Sequence, residues 1–503
     1  MIIRNFLTAV GCLLATALPA QTLLKGYEYG TATAPTGQEW QQPELIGYNK
    51  LQPHAWFTSF ASVDEAKGVL PEKSSYWMSL DGKWKFHFAK NPDARPKDFY
   101  QAGYNDQAWD DVEVPMSWNM YGLQKDGTQK YGTPIYVNQW VIFKYNIAVG
   151  DWKNGVMREP PKDYTTYEYR NEVGSYRRAF TLPQNWKGRE VYISFDGVDS
   201  FFYLWVNGHY VGCSKDSRDV AEFDISQWAK PGHNEVAVEV YRSSDGSFLE
   251  AQDMFRLPGI FRTVAVYSKP KVHVSDLKVI PAWTADGTGK LAVDYTVSNV
   301  GTKDAKGYTA VFKLFANKLY GDAEGEARVL TTTTGKINQA KNASSTLHEN
   351  FTVANVRPWS SEEPNVYTLV CELRDKKGNV VEAVSTQTGF RTVEIRDVAA
   401  KDDEFGLAGR YLLVNGKLKG VNRHDTNPTR GHAITRKQME EEIMLMKRGN
   451  INHVRTSHYP NDPYFYYLCN KYGIWLEAEA NIESHEYFYG KESLSSSTST
   501  SDA

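Results

Sequence analysis

A change of hydrophobic period near Glu394 constrains the fold of this chain more than any other feature. From about Trp56 to Val393, apolar and polar residues alternate in short segments such as VYISFDG and EVAVEVY, with turn residues between them. Alternation with a period of two is typical of β-strands. After Glu394, strand-like and helix-like segments follow one another, which predicts βα units and a parallel sheet. The chain is therefore predicted to be multidomain.

The alternating region divides into two sandwiches. Its pattern predicts a β jelly-roll sandwich over residues 21–270 and a smaller, immunoglobulin-like β-sandwich over residues 271–394. Residues 395–494 hold the βα units, and residues 495–503 form a low-complexity Ser/Thr tail. A length of 503 residues suits this division, because single cores rarely grow beyond about 250–300 residues.

The net charge indicates which partners the chain suits, and the N-terminal segment indicates its compartment. A net charge of −3 gives no basic footprint for nucleic acid or an anionic membrane. Residues 1–20 place Arg4 before a short apolar run, which predicts a signal peptide and a secreted or periplasmic protein. No other segment has the roughly 20 apolar residues of a membrane span. Cys213, Cys371 and Cys469 are predicted to be core thiols rather than disulfide or metal-binding pairs.

The βα region carries its own boundary signals. Thr435 followed by Gln438 forms a capping box, and Met439, Ile443 and Met446 fall on one helical face. A second helix is predicted to begin after Asn461 or Asp462 and to end at Gly473.

Polar residues follow each of the three predicted parallel strands. The carboxyl ends of parallel strands meet at one edge, where ligands bind, so the spacing predicts a shared polar pocket. The residues at these three strand ends are Asn422, Arg423, His424 and Asp425; Arg455, Ser457, His458 and Tyr459; and Glu479, Asn481, Glu483 and His485.

Glu483 and His485 form a candidate metal pair. In an extended segment, residues two apart point to the same side, so this carboxylate and imidazole could converge on one cation. Oxygen-rich coordination with a single imidazole suits Mg²⁺ or Mn²⁺. A zinc site that adds His424 and His458 is the alternative.

Several motifs resemble glycoside hydrolase family 2. The segment NHVRTSHYPNDPYFYYLCNKYGIW at 452–475 resembles the first signature of that family, and GVNRHDTNP and EANIESH resemble its β-galactosidase branch. The segments beginning SFDGVDSFFYLWVNG and DMFRLPGIFRTV resemble its N-terminal sugar-binding jelly roll. The resemblance implies a retaining enzyme whose (β/α)₈ TIM barrel cleaves terminal β-D-galactosides.

The resemblance also implies roles for individual residues. It implies that Asp216 binds both galactose and a sodium ion, and that Glu483 and His485 bind the active-site magnesium. The other residues implied to bind substrate are Asn138, His424, Arg455 and His458. From the residues alone, Asn138 and Asp216 would be turn residues. Trp118 and Trp205 are predicted to lie in the core rather than to stack on sugars.

The chain departs from the family near its end. Glu486 stands where the family usually has Gly, and the resemblance stops near Leu494. Retaining glycosidases need two carboxyl groups, which the family places as glutamates on the fourth and seventh barrel strands. No Asn-Glu pair follows His485. We therefore expect an N-terminal fragment, with an incomplete barrel, that lacks both catalytic glutamates and is inactive alone.

Two alternatives remain open on the sequence. The two sandwiches could act as a non-catalytic carbohydrate-binding protein. The chain could also belong to a family member with β-glucuronidase or β-mannosidase specificity. A homo-oligomer is compatible with the full-length enzyme that the resemblance implies.

Overall fold

The computed structural model describes residues 29–42, 44–122, 125, 130–137, 171–317, 319, 327–402, 409–413 and 420–483. The predicted signal peptide, Asn138, His485 and the Ser/Thr tail lie outside these residues. No helix in the described ranges is both long and apolar enough to cross a membrane.

The first part of the chain folds into antiparallel sheets. A seven-stranded sheet has the order β1-β11-β10-β13-β7-β4-β5 and a four-stranded sheet the order β12-β8-β16-β3, while β14 pairs with β6 and β15 with β9. The strands are β1 Gly47–Tyr48, β2 Ser59–Phe60, β3 Trp77–Ser79, β4 Gly82–Ala89, β5 Asp110–Val114, β6 Ile135–Val137, β7 Val173–Leu182, β8 Glu190–Phe195, β9 Val198–Asp199, β10 Phe201–Val206, β11 His209–Ser214, β12 Ala221–Asp224, β13 Gly232–Tyr241, β14 Met254–Arg256, β15 Gly259–Ile260 and β16 Val264–Lys269.

The seven-stranded sheet is buried on both faces. Leu204 of β10 packs with Trp84 and Ile193 in the core between the two large sheets. Its neighbours Tyr203 and Trp205 point to the opposite face, where Trp40 and other aromatic side chains cover them. β10 therefore reads FFYLWV, an unbroken apolar run, as a strand buried on both sides should.

The second part is a smaller sandwich. A three-stranded sheet, β17-β18-β22, faces a sheet of order β2-β24-β23-β19-β20, with β21 paired to β19. Alternating residues from both sheets, including Tyr295 and Leu369, fill the core between them. The strands are β17 Val272–Trp283, β18 Gly289–Asn299, β19 Ala305–Ala316, β20 Ala327–Thr333, β21 Ile337–Gln339, β22 Ala343–Val353, β23 Tyr367–Arg374 and β24 Val380–Thr388.

The third part begins with a hairpin and continues as βα units. The hairpin is β25 Glu394–Val398 with β26 Gly409–Leu413, and the parallel strands are β27 Gly420–Arg423, β28 His453–Thr456 and β29 Trp475–Glu477. The helices of the chain are α1 Val63–Ala66, α2 Trp118–Tyr121, α3 Arg436–Arg448 and α4 Pro463–Tyr472, and short 3-10 turns span Glu39–Gln41, Pro71–Lys73, Pro92–Ala94, Gln184–Trp186, Asp245–Phe248 and Ala400–Asp402. The predicted fold class is confirmed.

Local signals set the ends of α3 and α4. Thr435 and Gln438 form the predicted capping box at the start of α3. The Asp462 side chain accepts a hydrogen bond from the Tyr464 amide at the start of α4. Gly473 ends α4 with a φ of 73°, a left-handed conformation that glycine adopts without strain. Both helices pack their apolar faces on β28, with Met439, Ile443 and Phe465 buried.

The N-terminal segment joins the two sandwiches. β1 pairs with β11 in the jelly roll, and β2 pairs with β24 in the smaller sandwich. Between them, His54 Nε2 lies 2.7 Å from Glu222 Oε2, and both side chains are largely buried. Burial alone would lower the pKa of His54, but the Glu222 carboxylate outweighs it and raises that pKa. The same pairing lowers the pKa of Glu222 to about 2 against the effect of burial.

A buried ion pair joins the jelly roll to the βα region. Arg262 Nη2 lies 3.1 Å from Asp425 Oδ2 and donates to the Pro460 carbonyl at 2.6 Å, while Nη1 donates to the Arg218 carbonyl at 2.7 Å. Asp425 Oδ1 also accepts from Arg423 at 2.5 Å. Burial disfavours the Asp425 carboxylate, but the two guanidinium groups outweigh that cost and lower its pKa.

We predict that Arg262→Met lowers the free energy of unfolding by about 3–5 kcal/mol, because it leaves the buried Asp425 with only one of its two cations. Urea denaturation measures the change. The control is Lys437→Ala on α3, whose exposed pair with Glu441 is worth less than about 0.5 kcal/mol. Equal effects of the two substitutions would contradict the role given to Arg262.

We also predict a pH-dependent contribution from His54. Its pKa is higher in the folded state, so its stabilisation is complete below the unfolded value of about 6.5 and is lost as pH rises through the folded value. The difference in urea midpoint between the unaltered chain and His54→Gln should therefore be larger at about pH 5.5 than at about pH 9. His348→Gln removes an exposed histidine–aspartate pair and serves as the control. A difference in urea midpoint for His54→Gln that stays constant with pH would count against the prediction.

Candidate functional site

Three parallel strand ends carry the polar residues of the candidate site. In the sheet β27-β28-β29, Arg423 lies opposite Thr456, and Arg455 lies opposite Glu477. The carboxyl ends of parallel strands share one edge of a sheet. The structure therefore brings His424, His458 and the residues that follow β29 to a common edge.

Arg455 is the centre of this cluster. Val454 and Thr456 are buried, so alternation along β28 turns the Arg455 side chain to the other face of the sheet. Its Nε donates to Glu479 Oε1, and its Nη2 donates to His458 Nδ1 at 3.2 Å. Because arginine only donates, this contact assigns the ring proton of a neutral His458 to Nε2.

The two pocket histidines lie against each other. The rings of His424 and His458 are 5.3 Å apart at an angle of 78°. Partial burial and the nearby His458 lower the pKa of His424 below its usual value. His424 is therefore mainly neutral at pH 7 and can either donate or accept a hydrogen bond.

The jelly roll supplies the opposite wall through Asp216. Asp216 Oδ1 accepts from Asn481 Nδ2 at 2.9 Å, and Asn481 Oδ1 accepts from Gln252 Nε2 at 2.9 Å. Asp216 has a φ of 73°, a left-handed conformation that aspartate tolerates better than most residues. These bonds hold the Asp216 carboxylate beside the segment that follows β29.

Backbone pairing also fixes Glu483. The Glu483 amide donates to the Leu249 carbonyl at 2.7 Å, and the Ala251 amide donates to the Glu483 carbonyl at 2.8 Å. The residue after β29 that the resemblance assigns to magnesium is thus held by a loop of the jelly roll. Sequence reasoning missed this loop, including Gln252, because nothing in its pattern shows pairing across more than two hundred residues.

Two carboxyl groups near Asp216, those of Glu250 and Asp219, keep their protons to higher pH than isolated carboxyl groups do. Burial first, and the nearby Asp216 second, raise the pKa values of both Glu250 and Asp219. The Ser217 amide and hydroxyl hold Glu250 at 2.9 and 2.5 Å. Protonation limits the negative charge that this side of the site carries.

Two residues of the predicted strand-end set have structural rather than ligand-facing positions. Arg423 packs 4.1 Å from the Phe465 ring and pairs with Glu442 on α3. Asp425 is buried at the junction with Arg262. Trp118 and Trp205 are core residues, as the sequence predicts.

The two glutamates of the site lie near the same histidine. Glu479 Oε2 and Glu483 Oε2 lie 3.7 and 3.9 Å from the same atom, His458 Nδ1. Arg455 also pairs with Glu479 and neutralises its charge. This arrangement binds hydrogen-bonding groups but does not resemble the acid and nucleophile pair of a retaining glycosidase.

The described residues supply part of a metal-binding donor set. Within ranges ending at Glu483, no group of three or more His, Cys, Asp or Glu side chains is arranged to hold a metal ion. Glu483 offers carboxylate oxygens at this edge, a donor type that Mg²⁺ prefers. Its predicted partner His485 lies outside the described residues, as does the predicted substrate residue Asn138.

Comparison with known families assigns all three parts of the chain to one family. The family 2 sugar binding domain of the glycosyl hydrolases matches residues 77–270. A second model of glycosyl hydrolases family 2 matches residues 272–391, and its TIM barrel domain matches residues 398–503.

Curated relatives are similar over most of this chain. A β-galactosidase of Priestia megaterium is 38% identical over 467 residues, which cover 92% of this chain and 41% of the relative. A β-galactosidase large subunit of Lactobacillus helveticus is 34% identical, with 88% of this chain and 65% of the relative covered. The chain thus spans 41% of the length of the first relative and 65% of the second.

Solved structures share the fold. A Bacteroides uniformis β-glucuronidase matches 81% of this chain and 42% of its own, with a TM-score of 0.61 and 21% identity. A putative β-galactosidase from Bacteroides fragilis matches 80% of this chain and 53% of its own, with a TM-score of 0.60 and 18% identity. The three consecutive domain matches show that this chain belongs to glycosyl hydrolase family 2.

Proposed function

We propose that this chain forms the substrate-binding wall of a β-galactosidase-type glycosidase that acts on terminal β-D-galactosides. One observation carries the proposal: the jelly-roll loop and the strand ends converge, through Asn481 and Glu483, on one cluster of hydrogen-bonding groups. In that cluster His424, Arg455 and His458 act as donors to sugar hydroxyls, and Asp216 accepts from them. Asn138 joins this wall on the resemblance alone.

The chemistry of hydrolysis requires groups that this wall does not provide. A retaining glycosidase places an acid/base and a nucleophile about 5–5.5 Å apart. The resemblance assigns both roles to glutamates on later strands, and this chain spans 41% of the Priestia megaterium relative. The residues present bind and orient the sugar, and a polypeptide of this sequence alone is expected not to hydrolyse it.

We propose magnesium as the cofactor, held by Glu483 and His485, with sodium at Asp216. The support is the oxygen-rich donor set at this edge and the resemblance. Bound there, Mg²⁺ would supply positive charge beside the sugar. Export through residues 1–20 is likewise proposed, on the N-terminal pattern alone.

The charge balance favours a neutral sugar over a uronate. Asp216, Glu479 and Glu483 bring three carboxylates to the cluster, and Arg455 at its centre is already paired with Glu479. A glucuronide would bring another carboxylate into this set, and like charges at close range repel. We therefore prefer galactoside over glucuronide specificity.

Calorimetric titration of the full chain tests the binding wall. We expect galactose to bind with a Kd of about 1 mM, and Arg455→Met to weaken binding about tenfold or more, because a charge-assisted hydrogen bond is lost. Lys437→Ala is the distant control. Glucuronate should bind more weakly than galactose. Unaltered binding in Arg455→Met, or tighter binding of glucuronate, would refute the assignment.

Activity and metal dependence give a second prediction. The chain should produce no measurable release of nitrophenol from a chromogenic β-galactoside, with the Priestia megaterium relative as positive control. Calorimetric titration of the chain with Mg²⁺ should show saturable binding. Glu483→Gln should weaken the affinity for Mg²⁺ at least tenfold, because the carboxamide lacks the charge that attracts the cation. Turnover by the chain alone, or metal binding indifferent to Glu483→Gln, would contradict the proposal.

A further inference from the structure

A cavity of about 690 Å³ lies between the jelly roll, the N-terminal segment and the helices α3 and α4. Its walls include Lys50, Trp56, Trp77, Asp196 and Asp219, with Tyr466 on the side of α4. This volume falls within the roughly 300–1,000 Å³ typical of small-molecule sites. The histidines, Arg455 and Glu479 of the strand-end cluster do not line it.

Lys50 is the unusual feature of this cavity. The residue is only 7% exposed, and its ammonium has no hydrogen bond or ion pair to any described residue; it lies 5.2 Å from the centre of the Tyr29 ring. Burial lowers the pKa of Lys50, and nearby carboxylates, Asp216 first, partly offset that effect. A buried cation without a paired anion costs several kcal/mol, so a ligand oxygen that accepts a hydrogen bond from this ammonium would offset that cost.

Asp196 is a second polar residue of the cavity wall that is available to a ligand. The Asp196 amide donates a hydrogen bond to the Thr263 carbonyl, and its carbonyl accepts one from Arg262 Nη1. Its carboxyl group has no hydrogen-bond partner among the described residues. Burial first, and the nearby Asp462 second, raise the pKa of Asp196 well above its usual value. A protonated carboxyl both donates and accepts hydrogen bonds.

Other charged groups of the cavity wall already have partners. His54 pairs with Glu222, Arg262 with Asp425, and Arg436 with Glu72. Arg430 donates through Nη2 to the Pro115 carbonyl, and its Nε has no hydrogen-bond partner in the described part of the chain. The groups left for a ligand are the Lys50 ammonium, the Arg430 Nε–H, carboxyl groups and two partly exposed indoles. Both an ammonium and a protonated carboxyl group form hydrogen bonds with uncharged hydroxyls, which a neutral polyol supplies in number. Aromatic faces beside polar groups suit a sugar ring.

We propose that this cavity is a second carbohydrate site, which binds a neutral di- or trisaccharide through Lys50 and Asp196 with Trp56 and Trp77 as apolar walls. The proposal does not depend on the glycosidase assignment, because it uses none of the strand-end donors. Two residues of the cavity wall also contact the strand-end segments: Asp216 through Asn481, and Arg262 through Asp425.

The test titrates the full chain with β-1,4-galactotriose in an Arg455→Met background, which weakens the strand-end site about tenfold or more. Calorimetry and tryptophan fluorescence are expected to show saturable binding with a Kd of about 1 mM or tighter. Lys50→Met, nearly isosteric, is expected to weaken binding at least tenfold while leaving Tm unchanged or higher, since it removes an unpaired buried charge. Lys341→Met, on an exposed turn of the smaller sandwich, is the matched control.

Loss of binding in Lys50→Met at unchanged or raised Tm supports the site. If Tm falls instead, the isosteric Asp196→Asn decides: weakened binding supports the proposal, and retained binding overturns it. Absence of saturable binding up to about 10 mM trisaccharide, or full binding by Lys50→Met, also overturns it. Failure of galactose to bind the unaltered chain would count against the proposed function and not against this site.

Discussion

The buried contact between Arg262 and Asp425 sets the geometry on which the site depends. Arg262 stands beside a strand of the jelly roll, and Asp425 follows the end of β27. A buried carboxylate with two guanidinium partners is costly to break, because removing one partner leaves charge without compensation. The contact therefore holds the jelly roll at a fixed position over the strand ends. In that position Asp216 and the loop around Leu249 reach Asn481 and Glu483.

The site itself is an assembly of two unrelated architectures. A parallel sheet gathers His424, Arg455 and His458 at one edge because its strands share a direction. An antiparallel sandwich contributes a loop whose backbone pairs with the segment after β29. Neither part has a complete set of donors and acceptors. Binding groups that come from rigid strands and are fixed by backbone hydrogen bonds are preorganised, which lowers the cost of ordering them around a ligand.

The sequence predicts some of these features well, for local reasons. The capping box at Thr435 and the glycine stop at Gly473 depend only on neighbouring residues, and both appear in the structure. The order of βα units places the strand-end residues together without further information. The double burial of β10 also agrees with its unbroken apolar run. These features are visible in the sequence because each is determined by residues only a few positions apart.

Other features have no local cause and could not be read from the pattern. The bond from Gln252 to Asn481 and the unpaired ammonium of Lys50 depend on where distant segments meet. Arg423 and Asp425 are indistinguishable in sequence from ligand-facing residues, yet alternation and packing turn them toward α3 and the junction. The family resemblance selected Asp216, which its turn-like surroundings would have hidden.

The pairing of β2 with β24 has a consequence for synthesis. Ser59 lies opposite Val384, so the partner of this early segment leaves the ribosome more than three hundred residues later. At about 5–20 residues per second, the delay is on the order of tens of seconds. During that time the apolar side chain of Phe60, which is fully buried in the finished protein, has no sheet to cover it. The nascent polypeptide thus exposes this apolar side chain until its second sandwich forms.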